Sequence, residues 1–343
     1  MWSTSYLVFG LLWLGGDGAY PWDSARDARG LNILDGVGQG LVAWLVIGLA
    51  VAGLAVTATL MALARRPGRG RGLLRVTAVG AALIGSVLAM VVPDLRILAS
   101  VGYLPILLVT TLFVSDAGAL WSDYFAWPTV NLLILTVAGA AFLTVAVSQW
   151  RLATCACRGC GRTGRAVRWT APESASRWGR WATAVAVAIP AGYATTRVMW
   201  ALGIPFGVSQ DLLDELGNQR YAGAALGLLG LGGALLTVGL VRPWGETWPR
   251  WVPRLRGRPV PVGVAVVPAS VVAFIVMSAG LMFVRLRVTG ELASAFPGEM
   301  SDLAAWIPEM FWPLWSVSLA AATYAYWLRR RGRCVTCGQG TTP

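Results

Sequence analysis

Long apolar stretches constrain this chain more than any other feature. A helix rises about 1.5 Å per residue and a bilayer core is about 30 Å thick, so roughly 20 apolar residues cross it. Only 13% of the 343 residues are charged, against about 25% in soluble domains. The sequence predicts an all-α integral membrane protein with eight transmembrane helices, at 2–16, 37–63, 76–93, 128–150, 180–203, 220–241, 260–284 and 308–328.

The charges between these helices predict the topology. All 28 basic residues are Arg, and 21 of them lie in four stretches that contain only two acids, Glu173 and Glu246. The four stretches are 64–75, 150–181, 242–258 and 329–343. Basic loops stay cytoplasmic, so we expect both termini inside and the acidic loops outside. The composition is typical of a high-GC genome, and the expected location is a bacterial plasma membrane.

The same charged residues limit which partners and which catalytic or metal sites the chain can have. The net charge of +12 is explained by topology and by anionic membrane lipid, so no nucleic-acid partner is expected. The chain lacks His and Lys, which excludes a histidine metal site, a histidine base and a lysine Schiff base. We find no phosphate-binding loop, no paired prenyl-diphosphate aspartate motif and no nucleophile elbow.

One further apolar segment, near 98–114, does not fit an eight-span count. If it crossed the membrane, the Arg-rich stretch 150–181 would lie outside. The sequence therefore predicts a re-entrant or outer-surface helix here, broken near Pro105, because non-helical backbone at membrane depth needs cover from protein or a watery cavity.

Repeated landmarks indicate a tandem duplication. YLVFGLLWLGG (Tyr6–Gly16) resembles YATTRVMWALG (Tyr193–Gly203), and each half closes with C-x-x-C-G. The predicted organisation is a four-helix repeat over 1–164, a cytoplasmic linker over 165–179 and a second repeat over 180–343. Because four is an even number of spans, the repeats are parallel, related by an axis along the membrane normal.

The C-x-x-C-G motifs predict a metal site. Zn²⁺ prefers four tetrahedral thiolates, and a spacing of two residues lets one turn present two sulfurs. The predicted ligands are Cys157, Cys160, Cys334 and Cys337 of a structural, cytoplasmic Zn²⁺ clamp. A thiol redox pair and four reduced cysteines without an ion stay open as alternatives. Cys155 is expected to be a bystander.

Arg197 is the one charge inside an apolar span, and an intramembrane charge is a functional candidate by default. The nearest carboxylates along the chain are Asp211, Asp214 and Glu215, and Asp94 lies on the same predicted outer side. These five residues are the candidate binding site. The alternatives are solvated acidic loops, and an Arg197 side chain that extends to the interface.

Three classes of function fit these features. A carrier or permease for a small molecule would place its site at the repeat interface. A membrane enzyme, such as an acid-initiated isoprenoid cyclase, would need a protonated carboxyl in an aromatic pocket. A structural or assembly protein would have no small-molecule site. The carrier is favoured by analogy of architecture, and the sequence does not define the oligomeric state or whether the chain is an enzyme.

Overall fold

The computed structural model describes residues 1–16, 19–22, 31–64, 70–113, 117–163, 167–250 and 252–340. This part of the chain is helical and contains no strand. Its α-helices are α1 (Trp2–Leu14), α2 (Gln39–Ala64), α3 (Arg71–Ser86), α4 (Leu95–Thr110), α5 (Ala117–Tyr124), α6 (Trp127–Ala153), α7 (Pro172–Ala201), α8 (Gln210–Leu216), α9 (Gln219–Val238), α10 (Val262–Thr289), α11 (Leu292–Ala295), α12 (Leu303–Met310) and α13 (Trp312–Arg330).

Among these, five helical segments are long and apolar enough to cross a membrane. They are Gln39–Leu63, Arg71–Val91, Trp127–Ala153, Gln219–Val241 and Val262–Thr289. Only 28–39% of the most apolar part of each segment is buried within the protein. Large apolar side chains cover the rest, for example Trp44, Val137 and Leu235. Such surfaces are stable against lipid rather than water and are typical of a membrane protein.

The other three predicted spans are helical but fall short in length or hydropathy. α1 has 13 residues, about 20 Å of rise. α7 carries Arg177, Arg180 and Arg197, and α13 is rich in Trp, Tyr, Ser and Thr. These two helices pack against each other, and α7 also packs against α9. Helices covered by neighbours need less apolar surface than helices that face lipid.

Contacts divide the chain into two compact units. The first unit contains residues 1–100, 107–165 and 333–343, and the second contains 101–106 and 166–332. In the first, α1 packs on α2 and α3 packs on α6. In the second, α7 packs on α9 and α10 packs on α13. The C-terminal tail thus belongs to the first unit.

Small residues allow the closest helix contacts, as is common in membranes. In the first unit, a Cβ on Gly139 of α6 would lie 2.6 Å from the backbone nitrogen of Ala89. In the second unit, a Cβ on Gly179 of α7 would lie 2.6 Å from the Cβ of Ala325 in α13. Neither position has room for a side chain.

The predicted helix near 98–114 is present as α4, but it is not broken near Pro105. Asp94 caps its N-terminus by accepting a hydrogen bond from the Arg96 backbone N–H at 2.9 Å. The helix then continues through Pro105 to Thr110. A proline removes one backbone hydrogen bond and strains the preceding turn, and here the flanking turns remain helical.

Candidate metal centre and a buried ion pair

The first C-x-x-C-G motif folds as a tight turn after α6. The backbone N–H of Gly161 donates to the carbonyl of Cys157 at 2.8 Å. The N–H of Cys157 donates to the carbonyl of Arg162 at 2.9 Å. Gly161 has φ of +66°, a conformation that glycine adopts without steric cost. This explains why a glycine follows the second cysteine.

The second motif, after α13, repeats this turn. Gly338 N–H donates to the Cys334 carbonyl at 2.8 Å, and Cys334 N–H donates to the Gln339 carbonyl at 2.9 Å. Gly338 has φ of +69°. The two motifs therefore share both hydrogen bonds and the left-handed glycine.

The four sulfurs converge within the first unit. Cys157 Sγ lies 3.7 Å from Cys334 Sγ, and Cys160 Sγ lies 3.6 Å from Cys337 Sγ. All four Sγ atoms lie within 4.8 Å of one another. A tetrahedral zinc with Zn–S bonds of about 2.3 Å separates its sulfurs by about 3.8 Å. The predicted ligands are confirmed to lie close enough together to bind a metal ion, whereas Cys155 is a free, exposed thiol.

Backbone hydrogen bonds favour thiolates at this cluster. Those from Cys337 and Thr336 lower the pKa of Cys334 to about 6, and one from Cys160 is the main reason that the pKa of Cys157 is lowered. The Gln339 backbone also lowers the pKa of Cys337, but burial and the other three thiols outweigh it and raise that pKa to about 11. A bound cation releases such remaining protons, because metals bind the thiolate form.

Contacts outside the sulfurs hold the two turns against each other. Arg162 Nη1 donates to the carbonyl of Gln339 at 2.8 Å. A Cβ on Gly159 would lie 2.9 Å from Thr336 Oγ1 and 3.5 Å from Cys334 Sγ. The turns therefore pack without a gap beside the sulfurs.

The second unit contains a buried ion pair between Arg197 of α7 and Glu309 of α12. Arg197 Nη2 donates to Glu309 Oε1, and it also lies 3.3 Å from the carbonyl of Ala305. Arg197 is 9% exposed and Glu309 is 3% exposed. Arg197 is therefore buried within the second unit, and its partner is not one of the three acids expected from the sequence.

Aromatic rings surround the guanidinium of this pair. Its central carbon lies 4.1 Å from the centre of the Trp200 ring and 4.8 Å from that of Tyr193. Tyr193 in turn packs edge-on against Trp312 at 5.5 Å. Ring faces attract cations most strongly where water is excluded, so these contacts help to keep the charge buried.

The remaining predicted site residues lie elsewhere. Asp211, Asp214 and Glu215 are exposed on α8. Asp94, in the first unit, is 1% exposed and accepts hydrogen bonds from Asn32 Nδ2 at 2.8 Å and from Arg96 Nη2 at 2.6 Å. Its role in the fold is to cap α4 and bind Asn32. Within the second unit, the structure does not bring Asp211, Asp214 or Glu215 to Arg197, which pairs with Glu309.

Sequence reasoning missed Glu309. The signal that could have identified it is its position at the second residue of the predicted span 308–328, where a carboxylate inside an apolar segment is costly unless it is paired.

Comparisons with known proteins give no further constraint. No family model matches the chain, and no curated protein or solved structure is significantly similar to it.

Proposed function

We propose that this protein is a small-molecule carrier of the bacterial plasma membrane whose C-terminal tail is fastened by a structural zinc ion. The zinc is supported by the sulfur spacings, close to the 3.8 Å of a tetrahedral site. The four cysteines would fill every coordination position, and a closed site of this kind stabilises a fold rather than binding substrate. Since the tail follows α13 directly, zinc would link the ends of the two predicted repeats.

The proposed topology has eight spans in two parallel repeats, with both termini in the cytoplasm. The equivalent helix pairs within the two units, α1–α2 with α7–α9 and α3–α6 with α10–α13, support a duplication. Cys155 offers a test because it is exposed and outside the quartet. We expect a membrane-impermeant maleimide to label Cys155 only after cells are permeabilised. Labelling in intact cells would contradict the orientation, and a Cys155→Ser variant identifies the labelled thiol.

The carrier function rests on one observation, the buried Arg197–Glu309 pair. A charge pair inside a membrane protein is expensive and marks substrate or ion pathways. The pair also lies beside an interruption between helices, because α12 ends at Met310 and α13 begins at Trp312. Interrupted helices are common at the binding sites of transporters built from repeats.

Counterflow in proteoliposomes tests the carrier function. Vesicles preloaded with a panel of unlabelled organic acids, amines and sugars would be mixed with trace amounts of the labelled compounds. We expect saturable uptake of one class, absent from protein-free liposomes and lost in Arg197→Gln. Uptake of no class by zinc-loaded protein would overturn the proposal.

An acid-initiated enzyme on a lipophilic substrate is the second candidate, and the aromatic rings near Arg197 favour it because they stabilise cations. Such an enzyme needs a protonated carboxyl at rest. The buried carboxyl at this site, Glu309, is instead already paired with Arg197, so we rank this candidate below the carrier.

A further inference from the structure

We propose that the Arg197–Glu309 pair binds a small apolar monocarboxylic acid, with the carboxylate on Arg197 and one proton on Glu309. This inference rests on the proposed carrier function and names its substrate class.

The pair has unused hydrogen-bonding capacity. Arg197 engages only one carboxylate oxygen, and Glu309 Oε2 is buried with no hydrogen-bond partner among the described residues. Trp312 Nε1, three residues further along the chain, is likewise buried without a partner in that part of the protein. A free acceptor and a free donor therefore occur three residues apart in the chain, on either side of the interruption between α12 and α13. Buried polar atoms of this kind usually have partners, and a proton on Oε2 would make this oxygen a hydrogen-bond donor to a bound ligand.

Charge decides which ligand this pair can accept. Arginine stays protonated under all physiological conditions, whereas a glutamate can take up a proton. In a water-poor interior, a change in net charge is costly. If a carboxylate replaces Glu309 on Arg197 and a proton neutralises Glu309, the net charge stays at zero. If a cation replaces Arg197 on Glu309, an extra positive charge remains because Arg197 cannot lose its proton.

The exchange is balanced in atoms and charge. One carboxylate anion and one proton enter, the Arg197–Glu309 ion pair opens, an Arg197–carboxylate ion pair forms, and Glu309 becomes a neutral acid. No covalent bond to carbon forms or breaks. The net event is binding of one molecule of the free acid.

The groups that face the pair leave Glu309 as the proton acceptor. On α7, Tyr193 lies beside the guanidinium, and a phenol is neutral below about pH 10. On α9, a Cβ on Gly223 or Gly227 would lie 3.7 or 3.4 Å from Arg197 side-chain atoms. α10 brings Arg287 over Trp306 of α12 at 5.3 Å.

The same surroundings indicate an apolar ligand body. Trp200, Tyr193 and Trp312 present aromatic surface around the charges. Flat apolar groups pack on aromatic faces. We therefore use benzoate as the probe, with benzamide and benzylamine as its neutral and cationic counterparts.

The test is calorimetric titration of the full-length, zinc-loaded protein in detergent with benzoate. Repeating the titration in buffers of different ionisation enthalpy gives the number of protons taken up. We expect one proton per benzoate and an affinity that falls about tenfold for each pH unit of increase, as linkage to one proton requires. Benzamide and benzylamine should bind at least about 100-fold more weakly.

Two variants separate this role from a structural one. Glu309→Gln mimics the protonated acid, so it should bind benzoate with no proton uptake and no pH dependence. Arg197→Gln should lose at least about 100-fold in affinity, since it removes the charge that binds the anion. Arg285→Gln is the matched control, because Arg285 pairs with the half-exposed Glu291 at 3.5 Å, and it should behave as wild type. If Arg197→Gln does not fold, the proton uptake and pH dependence of benzoate binding by Glu309→Gln still test the inference.

Binding without proton uptake, proton uptake that persists in Glu309→Gln, tighter binding of benzylamine, or no benzoate binding by zinc-loaded wild type would each overturn the inference. The same measurements distinguish a failure of the proposed carrier function from a failure of the proposed ligand class. If one proton is taken up per benzoate but no solute shows counterflow, the acid-binding site is supported and the carrier function is wrong. Saturable counterflow of an amine or sugar, without benzoate binding, would keep the carrier and reject the acid as its substrate.

Discussion

Cys157 Sγ lies 3.7 Å from Cys334 Sγ, although the two residues are 177 positions apart in the chain. The cysteines of each motif are close because of local turn geometry, but the meeting of the two motifs depends on where α6 and the C-terminal tail lie. A metal at this point would fasten the C-terminal tail to the turn that follows α6.

The metal content of detergent-purified protein checks this arrangement first. We expect about one Zn²⁺ per chain, because one closed site needs four thiolates, and we expect Cys157→Ser/Cys334→Ser to lose it. Cys155→Ser should keep the metal, since Cys155 lies outside the quartet. Wild type without metal, together with C-x-x-C pairs that oxidise and reduce reversibly, would instead favour a redox role.

Gly338→Ala tests the left-handed turn of the second motif. Gly338 has φ of +69° and open space where a Cβ would lie, so the substitution adds backbone strain without a clash. The expected cost is about 1–2 kcal/mol, or roughly five- to thirtyfold weaker zinc retention in competition with a chelator. Gly338→Asn is the control, because asparagine tolerates this conformation. Equal retention in Gly338→Ala and wild type would show that the turn does not limit metal binding.

Gly139→Ala tests the contact between α6 and the helical turn Val87–Val91, which follows α3 and contains Ala89. Its Cβ would lie 2.6 Å from the Ala89 nitrogen, and backbone cannot move aside as a flexible side chain can. We expect a loss of about 1–3 kcal/mol in unfolding free energy, measured by thermal unfolding in detergent. Gly48→Ala in α2 has no atom within 4 Å of its Cβ and should be neutral or slightly stabilising. If both variants have the same stability, the helices are less closely packed than described.

Asp302 gives the second unit an acid-sensitive contact. Burial raises its pKa, but backbone hydrogen bonds from Ser209 and Glu299, at 2.6 and 2.8 Å, hold the pKa below its ordinary value. A depressed pKa stabilises the fold above the unfolded-state pKa of about 4, and this stability is lost as the pH falls through the folded-state value.

Asp302→Asn removes that contribution. We expect a loss of about 1–2 kcal/mol at neutral pH and a flatter pH dependence of unfolding below about pH 4. Asp211→Asn, at an exposed position on α8, is the control. A pH profile of Asp302→Asn that superimposes on wild type would show that these hydrogen bonds do not favour the ionised form.

The sequence by itself determined the apolar, helical character of the protein, the positions of its main helices and the four cysteines of the candidate metal centre. These features are local. An apolar run indicates whether a helix is surrounded by lipid or water, and C-x-x-C-G specifies a single turn. The break expected at Pro105 is wrong, because α4 continues through the proline to Thr110.

Only the tertiary structure decided the partner of Arg197 and the unit to which the tail belongs. Glu309 lies 112 residues from Arg197, and nearness along the chain had favoured Asp211, Asp214 and Glu215. A buried charge pairs with the carboxylate that packing brings within reach, and α12 brings Glu309 there while α8 leaves its acids exposed. Periodicity and spacing describe each helix separately, whereas a contact between helices depends on how all of them pack.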